Sequence, residues 1–138
     1  MTVTEGTRAA LIERTDAIEQ AYEFMLAYAA RGRQSDDAGD TEGDIRGFLS
    51  EARDGLDGLV EAVLAHVKAL GVDAGPWHAY LDIVSADAKR ASAAIALVLA
   101  QPAIGSALID NLNASLHLRS LLTDVFLIDS VFEATSKR

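Results

Sequence analysis

Apolar side chains recur every three or four residues along most of this chain, and that interval places them on one face of an α-helix. In the first predicted helix, residues 4–31, this spacing is followed by Leu11, Ile18, Tyr22 and Met25. The pattern predicts a long helix with one buried face at the start of the chain.

The second helix is predicted from residue 42 or 44 to residue 70, with Gly71 as its stop. It carries the most regular apolar face in the chain, although Gly55 and Gly58 lie within it. A glycine inside a helix costs up to about 1 kcal/mol relative to alanine. The two glycines therefore indicate a bend, or another backbone that packs closely against this helix.

Two further helices are predicted, over residues 76–101 and 103–132. Pro76 suits the first turn of a helix, and Pro102 interrupts the helix that precedes it. The connections are short or moderate, so sequential helices are expected to pack antiparallel. The chain is thus predicted to be an all-α, up-down-up-down four-helix bundle, with one domain over residues 1–138.

The first two helices are separated by residues 31–43, RGRQSDDAGDTEG, which hold three glycines, several acids and no large apolar side chain. We expect this segment to be a mobile acidic loop and a contact site for a basic partner. It does not follow the ligand register of a calcium-binding loop, because no glutamate stands at the twelfth position.

The fourth predicted helix has more apolar surface than one chain can cover. Its apolar positions span more than half of the helix circumference, whereas a surface helix needs a stripe only somewhat wider than 100°. Either this helix is central or its extra face meets a second subunit. Since a four-helix layout has no central position, we expect a symmetric homodimer that packs through the third and fourth predicted helices.

Composition narrows the range of partners. The 138 residues include 21 acidic and 12 basic side chains, for a net charge of -9. This argues against binding to nucleic acids or anionic membranes, which are contacted through Lys and Arg. There is no cysteine, no apparent secretory signal, and no apolar stretch long enough to span a bilayer. We therefore expect a cytoplasmic protein.

A polar stripe on the fourth predicted helix is the first candidate binding site; it consists of Asp110, Asn113, His117 and Asp124. Such a set could hold a divalent metal or orient a general base. The plainer interpretation is that the stripe is the solvent-facing strip of an otherwise buried helix. Arg119 falls on the apolar side of this helix, and we expect it to need a carboxylate partner.

The start of the third predicted helix is the second candidate, because Trp77 and His78 lie where free backbone N–H groups could bind an anion. Alternatively, Trp77 closes one end of the core. If the protein binds a small molecule, we expect the pocket to lie between helices near Tyr22, Trp77 and His117.

Known chemistries of helical bundles fit the histidines poorly. A di-iron site needs a glutamate three residues before a histidine on two helices, and none of the three histidines has one. The segment that begins at His66 resembles the His-x-x-Lys-Gly pattern of histidine phosphotransfer domains, but Lys68 comes one position early and Ala69 follows it. No metal, cofactor or catalytic residue is predicted.

These observations favour a non-enzymatic accessory, adaptor or assembly protein. Residues 1–70 carry 14 acidic and seven basic side chains, and residues 71–138 carry seven and five. The apolar half would then form the homodimer, and the acidic half would meet another protein. The alternative is a helical bundle that binds a small molecule or cofactor, with or without enzymatic activity. Exposure of His117 favours the first hypothesis, and burial in a cavity favours the second.

Overall fold

The computed structural model describes residues 2–36 and 44–136, and all the regular structure in those ranges is α-helical. The helices are α1 (Val3–Ala29), α2 (Ile45–Leu56), α3 (Leu59–Leu70), α4 (Gly75–Leu99), α5 (Ser106–Ala114) and α6 (Leu116–Ser136). The all-α prediction is confirmed. The prediction of four continuous helices is wrong, because the second and fourth predicted helices are each divided in two. Residues 37–43 of the predicted acidic loop lie outside the described ranges.

Helix α1 begins at a reciprocal cap. The Thr2 hydroxyl accepts a hydrogen bond from the Glu5 N–H at 3.0 Å, and the Glu5 carboxylate accepts one from the Thr2 N–H at 3.2 Å. These bonds satisfy N–H groups that the first helical turn leaves free. The buried face of α1 consists of Leu11, Thr15, Ile18, Ala21, Met25 and Tyr28. This face packs mainly against α2, α3 and α5.

The second predicted helix is divided at Gly58. This residue has a φ of 88°, in the left-handed region that side chains other than glycine adopt at a cost. The guanidinium of Arg14 donates hydrogen bonds to the carbonyls of Asp54, at 3.0 Å, and Asp57, which satisfies acceptors at the end of α2. A Cβ at Gly55 would lie 3.0 Å from the Arg14 carbonyl oxygen. The glycine pair thus provides both the bend and the close approach.

The fourth predicted helix is divided at Ser115, whose backbone is extended with φ -66° and ψ 140°. The Ser115 hydroxyl accepts a hydrogen bond from the Leu118 N–H at 3.4 Å, and its carbonyl accepts one from the Arg119 N–H. Serine is a common N-cap because its oxygen can make such bonds. The break also resets the rotation of α6 relative to α5, so one helical wheel does not describe both segments.

Helix α1 runs antiparallel to α2 and α3. Near its start, the Thr4 hydroxyl donates to the Ala69 carbonyl at the end of α3, at 3.4 Å. Near its end, the Phe24 ring stacks on Phe48 in the first turn of α2, with the ring centroids 4.3 Å apart.

Helix α4 runs antiparallel to α2 and to α6. Arg46, at the start of α2, donates a hydrogen bond to the Leu99 carbonyl at the end of α4, at 3.0 Å. Trp77, at the start of α4, stacks on Phe132 near the end of α6 with a centroid distance of 4.8 Å. The start of α4 and the end of α6 therefore lie together.

The chain that follows α1 is bound to the segment before α5. The Tyr28 hydroxyl donates to the Ile104 carbonyl at 2.6 Å, and the Ser106 hydroxyl donates to the Tyr28 carbonyl at 2.7 Å. The Asp36 carboxylate accepts hydrogen bonds from the Ile104 N–H at 2.9 Å and from the Arg46 guanidinium at 2.6 Å. These bonds fix the described part of the acidic loop against the helices.

Substitution of Gly58 tests the origin of the α2–α3 break. We expect Gly58→Ala to lower the free energy of unfolding by about 1–2 kcal/mol, because alanine is strained in the left-handed region and its Cβ would crowd the Arg14 guanidinium at 3.1 Å. Gly47→Ala is the matched control, since its Cβ would meet only the Asp44 side chain at 3.5 Å. Urea denaturation measures both, and a Gly58→Ala protein as stable as the wild type would contradict this account.

Candidate interaction face on α4 and α6

A shallow apolar groove runs between α4 and α6, with a volume of about 200 Å³. It is lined by Pro76, Trp77, Tyr80, Leu127, Ile128 and Val131. Leu127 is 49% exposed, and Ile83, one turn after Tyr80 on α4, is 54% exposed. Isolated exposed leucines are ordinary on protein surfaces, whereas apolar side chains grouped along two adjacent helices make this groove a candidate contact surface.

Aromatic stacking anchors one end of this groove. The Trp77 and Phe132 rings are nearly parallel, at 14°, and the His66 ring meets Phe132 edge-on with centroids 4.8 Å apart. Trp77 is partly buried against the core, and its ring also lines the groove. His78, the adjacent candidate residue, is exposed.

One carboxyl group is buried next to the groove. Asp124 of α6 is only 7% exposed, and its Oδ1 accepts a hydrogen bond from the Tyr80 hydroxyl at 3.2 Å. Its Oδ2 is buried, and no donor among the described residues reaches it. A second carboxyl group, that of Asp87 on α4, neighbours Asp124. The Asp87 carboxylate accepts a hydrogen bond from the Arg90 guanidinium at 3.3 Å.

Burial raises the pKa of Asp124 from 3.8 to about 7, and a hydrogen bond to Asp87 and the charge of Asp87 add to this increase. The hydrogen bond from Tyr80 acts in the opposite direction. Burial, together with the Asp124 charge, raises the pKa of Tyr80 to about 12.

The predicted polar stripe is split by the break at Ser115. Asp110 and His117 are exposed, in agreement with a solvent-facing strip, whereas Asp124 is buried. Asn113 is half-buried, and both polar atoms of its amide lack a hydrogen-bond partner. Arg119 is exposed on α6. The prediction that Arg119 needs a carboxylate partner assumed that this residue lies among apolar side chains. An exposed arginine does not require such a partner.

The three residues expected around a small-molecule pocket lie apart. Tyr22 is half-buried beside a void of about 10 Å³ in the core, Trp77 lines the α4–α6 groove, and His117 is exposed near the start of α6. Pockets that bind small molecules usually have volumes of several hundred cubic ångströms. The void beside Tyr22 is far smaller than this.

The surroundings of His66 suit a residue that packs in the core rather than one that reacts. It is buried, its Nδ1 lies 2.8 Å from the Thr7 hydroxyl oxygen, and burial, with a smaller contribution from the charge of Arg8, lowers its pKa. An imidazole enclosed in this way is not presented to a phosphate donor. Within residues 2–36 and 44–136, no three His, Asp or Glu side chains converge where they could hold a metal ion.

A larger polar cleft, of about 570 Å³, lies between the α2–α3 pair and α4. It opens beside the bend at Gly58, and its charged lining residues are Arg53, Asp54, Asp57, Glu61 and Lys89. The sequence interpretation missed this cleft because it assumed one continuous helix over the bend. The pair of glycines was the signal that could have indicated it.

Comparison with protein families, characterised proteins and solved structures finds no significant match. None of the described helices combines the length and the apolar character needed to cross a membrane. The fold and its surface are therefore the grounds on which a function can be proposed.

Replacement of the buried carboxyl group tests its protonation. Between pH 4 and pH 7 the folded protein keeps the Asp124 proton that the unfolded chain has released, so the free energy of unfolding decreases as pH rises. We expect Asp124→Asn to be more stable than the wild type at pH 8, by on the order of 2 kcal/mol, and to lose this advantage near pH 4.

Urea denaturation at both pH values measures this difference. Asp110→Asn, at an exposed position of α5, is the control and should change stability by less than about 0.5 kcal/mol at either pH. An Asp124→Asn protein that is less stable than the wild type at pH 8 would show that Asp124 is ionised and satisfied in the fold.

Proposed function

We propose that this protein is a non-enzymatic accessory, adaptor or assembly protein that acts through protein–protein contacts, and that two copies pair through the α4–α6 face. The observation that carries the proposal is the apolar groove with its half-exposed Leu127 and the neighbouring Ile83. Covering apolar surface of this kind is the main favourable contribution to protein association.

The composition of the face fits the centre and rim of a protein interface. Trp77 and Tyr80 supply the aromatic side chains that are enriched in interface centres. Arg90 is exposed on α4 and paired with Asp87, where it would supply charge at the rim of the contact. A two-fold symmetric pair uses the same patch on both copies, so one such face per chain is sufficient for a homodimer.

The acidic surface of α1, α2 and α3 suits a second, basic protein. Exposed acidic residues on α1, α2 and α3 are Glu5, Glu13, Asp16, Glu23, Glu51, Asp54 and Glu61. Opposite charges on two surfaces speed their association and exclude wrong partners. Because these acids do not lie in the α4–α6 groove, a homodimer would leave them available.

The exposure of His117 supports the interaction hypothesis, because a ligand-binding role was expected to place this residue in a cavity. Under this proposal, His117→Ala leaves the binding of a partner protein unchanged.

The second candidate function is small-molecule binding in the cleft between the α2–α3 pair and α4. Its favouring observation is the volume of about 570 Å³, which is within the usual range for ligand pockets. Its lining is largely polar and charged, so its ligand would be a polar molecule.

Charge placed in the groove tests the homodimer. We expect the wild type to sediment with twice its 14.6 kDa mass and Leu127→Asp to sediment as a monomer, because dimerisation would bury the new carboxylate among apolar side chains. The matched control is Ile12→Asp, since Ile12 is 43% exposed on α1 and should tolerate the change without loss of the dimer. Analytical ultracentrifugation gives all three masses.

A wild-type protein that is monomeric over a wide range of concentration would overturn the homodimer. Native mass spectrometry of protein taken from its own cells separates the two candidate functions. A bare dimer supports the interaction protein, whereas a mass excess of a small molecule that Arg53→Ala removes supports the cleft.

A further inference from the structure

Asp124 is buried between α4 and α6 beside the groove, and it forms a polar cluster with two partly buried residues of α4, Tyr80 and Asp87. Tyr80 belongs to both features, because its side chain lines the groove and its hydroxyl donates to Asp124. Buried carboxyl groups are uncommon at apolar helix–helix contacts unless they are paired. In the proposed dimer Tyr80 would lie in the contact, whereas the apolar contact makes no use of the two carboxyl groups.

We propose that Asp87 and Asp124 form a proton-operated latch, in which one shared proton holds α6 against α4 and its loss separates the two helices along the groove.

The two protonation states differ in the contact between the helices. With one proton, Asp124 donates a charge-assisted hydrogen bond to Asp87, which links α6 directly to α4. Without it, two carboxylates face each other where little water can screen them, and the Oδ2 of Asp124 has no donor. Repulsion and the need for hydration then favour movement of α6 away from α4.

The groups that act on Asp124 come from α4. They are Asp87 and Tyr80, and Arg90 acts through its ion pair with Asp87. Asp110, the titratable residue of α5, is exposed, as are His117 and Arg119 on α6 itself.

A separate acidic pair joins α1 to α6. Glu19 and Asp129 share a hydrogen bond, and the pKa of each is raised, chiefly by burial, with the charge of Asp16 adding to both. His66 of α3 contacts Phe132 on α6. These groups also titrate, so a test has to distinguish them from Asp124.

Trp77 is the one tryptophan of the chain, and its stacking on Phe132 spans the α4–α6 contact. We expect its fluorescence maximum to shift to longer wavelength between pH 6 and pH 8 in the wild type, because helix separation exposes the indole ring. Asp124→Asn, which keeps the shape of the side chain but cannot ionise, should abolish the shift. Asp87→Asn should move its midpoint at least one pH unit lower, because it removes the neighbouring charge.

Two histidines and one acidic pair serve as controls for this titration. His66 touches Phe132, and His78 follows Trp77 in the chain, so either could affect the fluorescence. We expect His66→Asn, His78→Gln and Asp129→Asn to keep the transition. A transition that persists in Asp124→Asn, or that one of these control variants removes, would overturn the latch.

The latch also regulates dimerisation, a consequence that rests on the proposed homodimer. The ionised form presents two carboxylates at the face that a second copy would cover, so the dissociation constant of the dimer should be at least tenfold larger at pH 8 than at pH 6. Sedimentation at both pH values, together with the Trp77 fluorescence, distinguishes failure of the latch from failure of the homodimer. A monomer throughout, with the Trp77 transition intact, overturns the dimer alone, and a dimer with no Trp77 transition overturns the latch.

Discussion

The packing of α6 against α4 is the constraint on which the character of the exposed surface depends. Helix α1 packs mainly against α2, α3 and α5, and the main neighbours of α6 are α4 and α5. The outer sides of α4 and α6 are therefore left without cover, and Ile83, Phe126 and Leu127 remain half-exposed there. The same contact encloses Asp124, and burial there favours the neutral form of its carboxyl group over the ionised form.

Apolar spacing predicted where helices occur but not where they break. Leu11, Ile18 and Met25 share the buried face of α1, as their spacing indicated. At Gly58 and Ser115 the chain bends while apolar residues continue at helical intervals on both sides, so periodicity alone passes over the break. A left-handed glycine and a capping serine are local features, and their effect depends on partners such as Arg14 that come from elsewhere in the chain.

The candidate site was predictable only within single helices. Trp77 was singled out from its place at a helix start, and it does line the groove. Asp124 was assigned to a solvent-facing stripe because one helical wheel was extended across Ser115. Asp87 was not selected at all, since nothing in its own helix marks it. Its role arises from proximity to Asp124, and a contact between α4 and α6 is not encoded in the spacing of either helix.

In the proposed homodimer, protonation of Asp124 and pairing of the two copies would be linked by thermodynamic reciprocity. If the form with protonated Asp124 associates more tightly by some factor, association must raise the proton affinity of Asp124 by the same factor. A second copy over the groove would also remove water from around Tyr80, and desolvation favours the neutral carboxyl group. Linkage and desolvation would both raise the proton affinity of Asp124. An apolar face beside a buried acid is therefore a physically consistent way to make a helical interface sensitive to pH near neutrality.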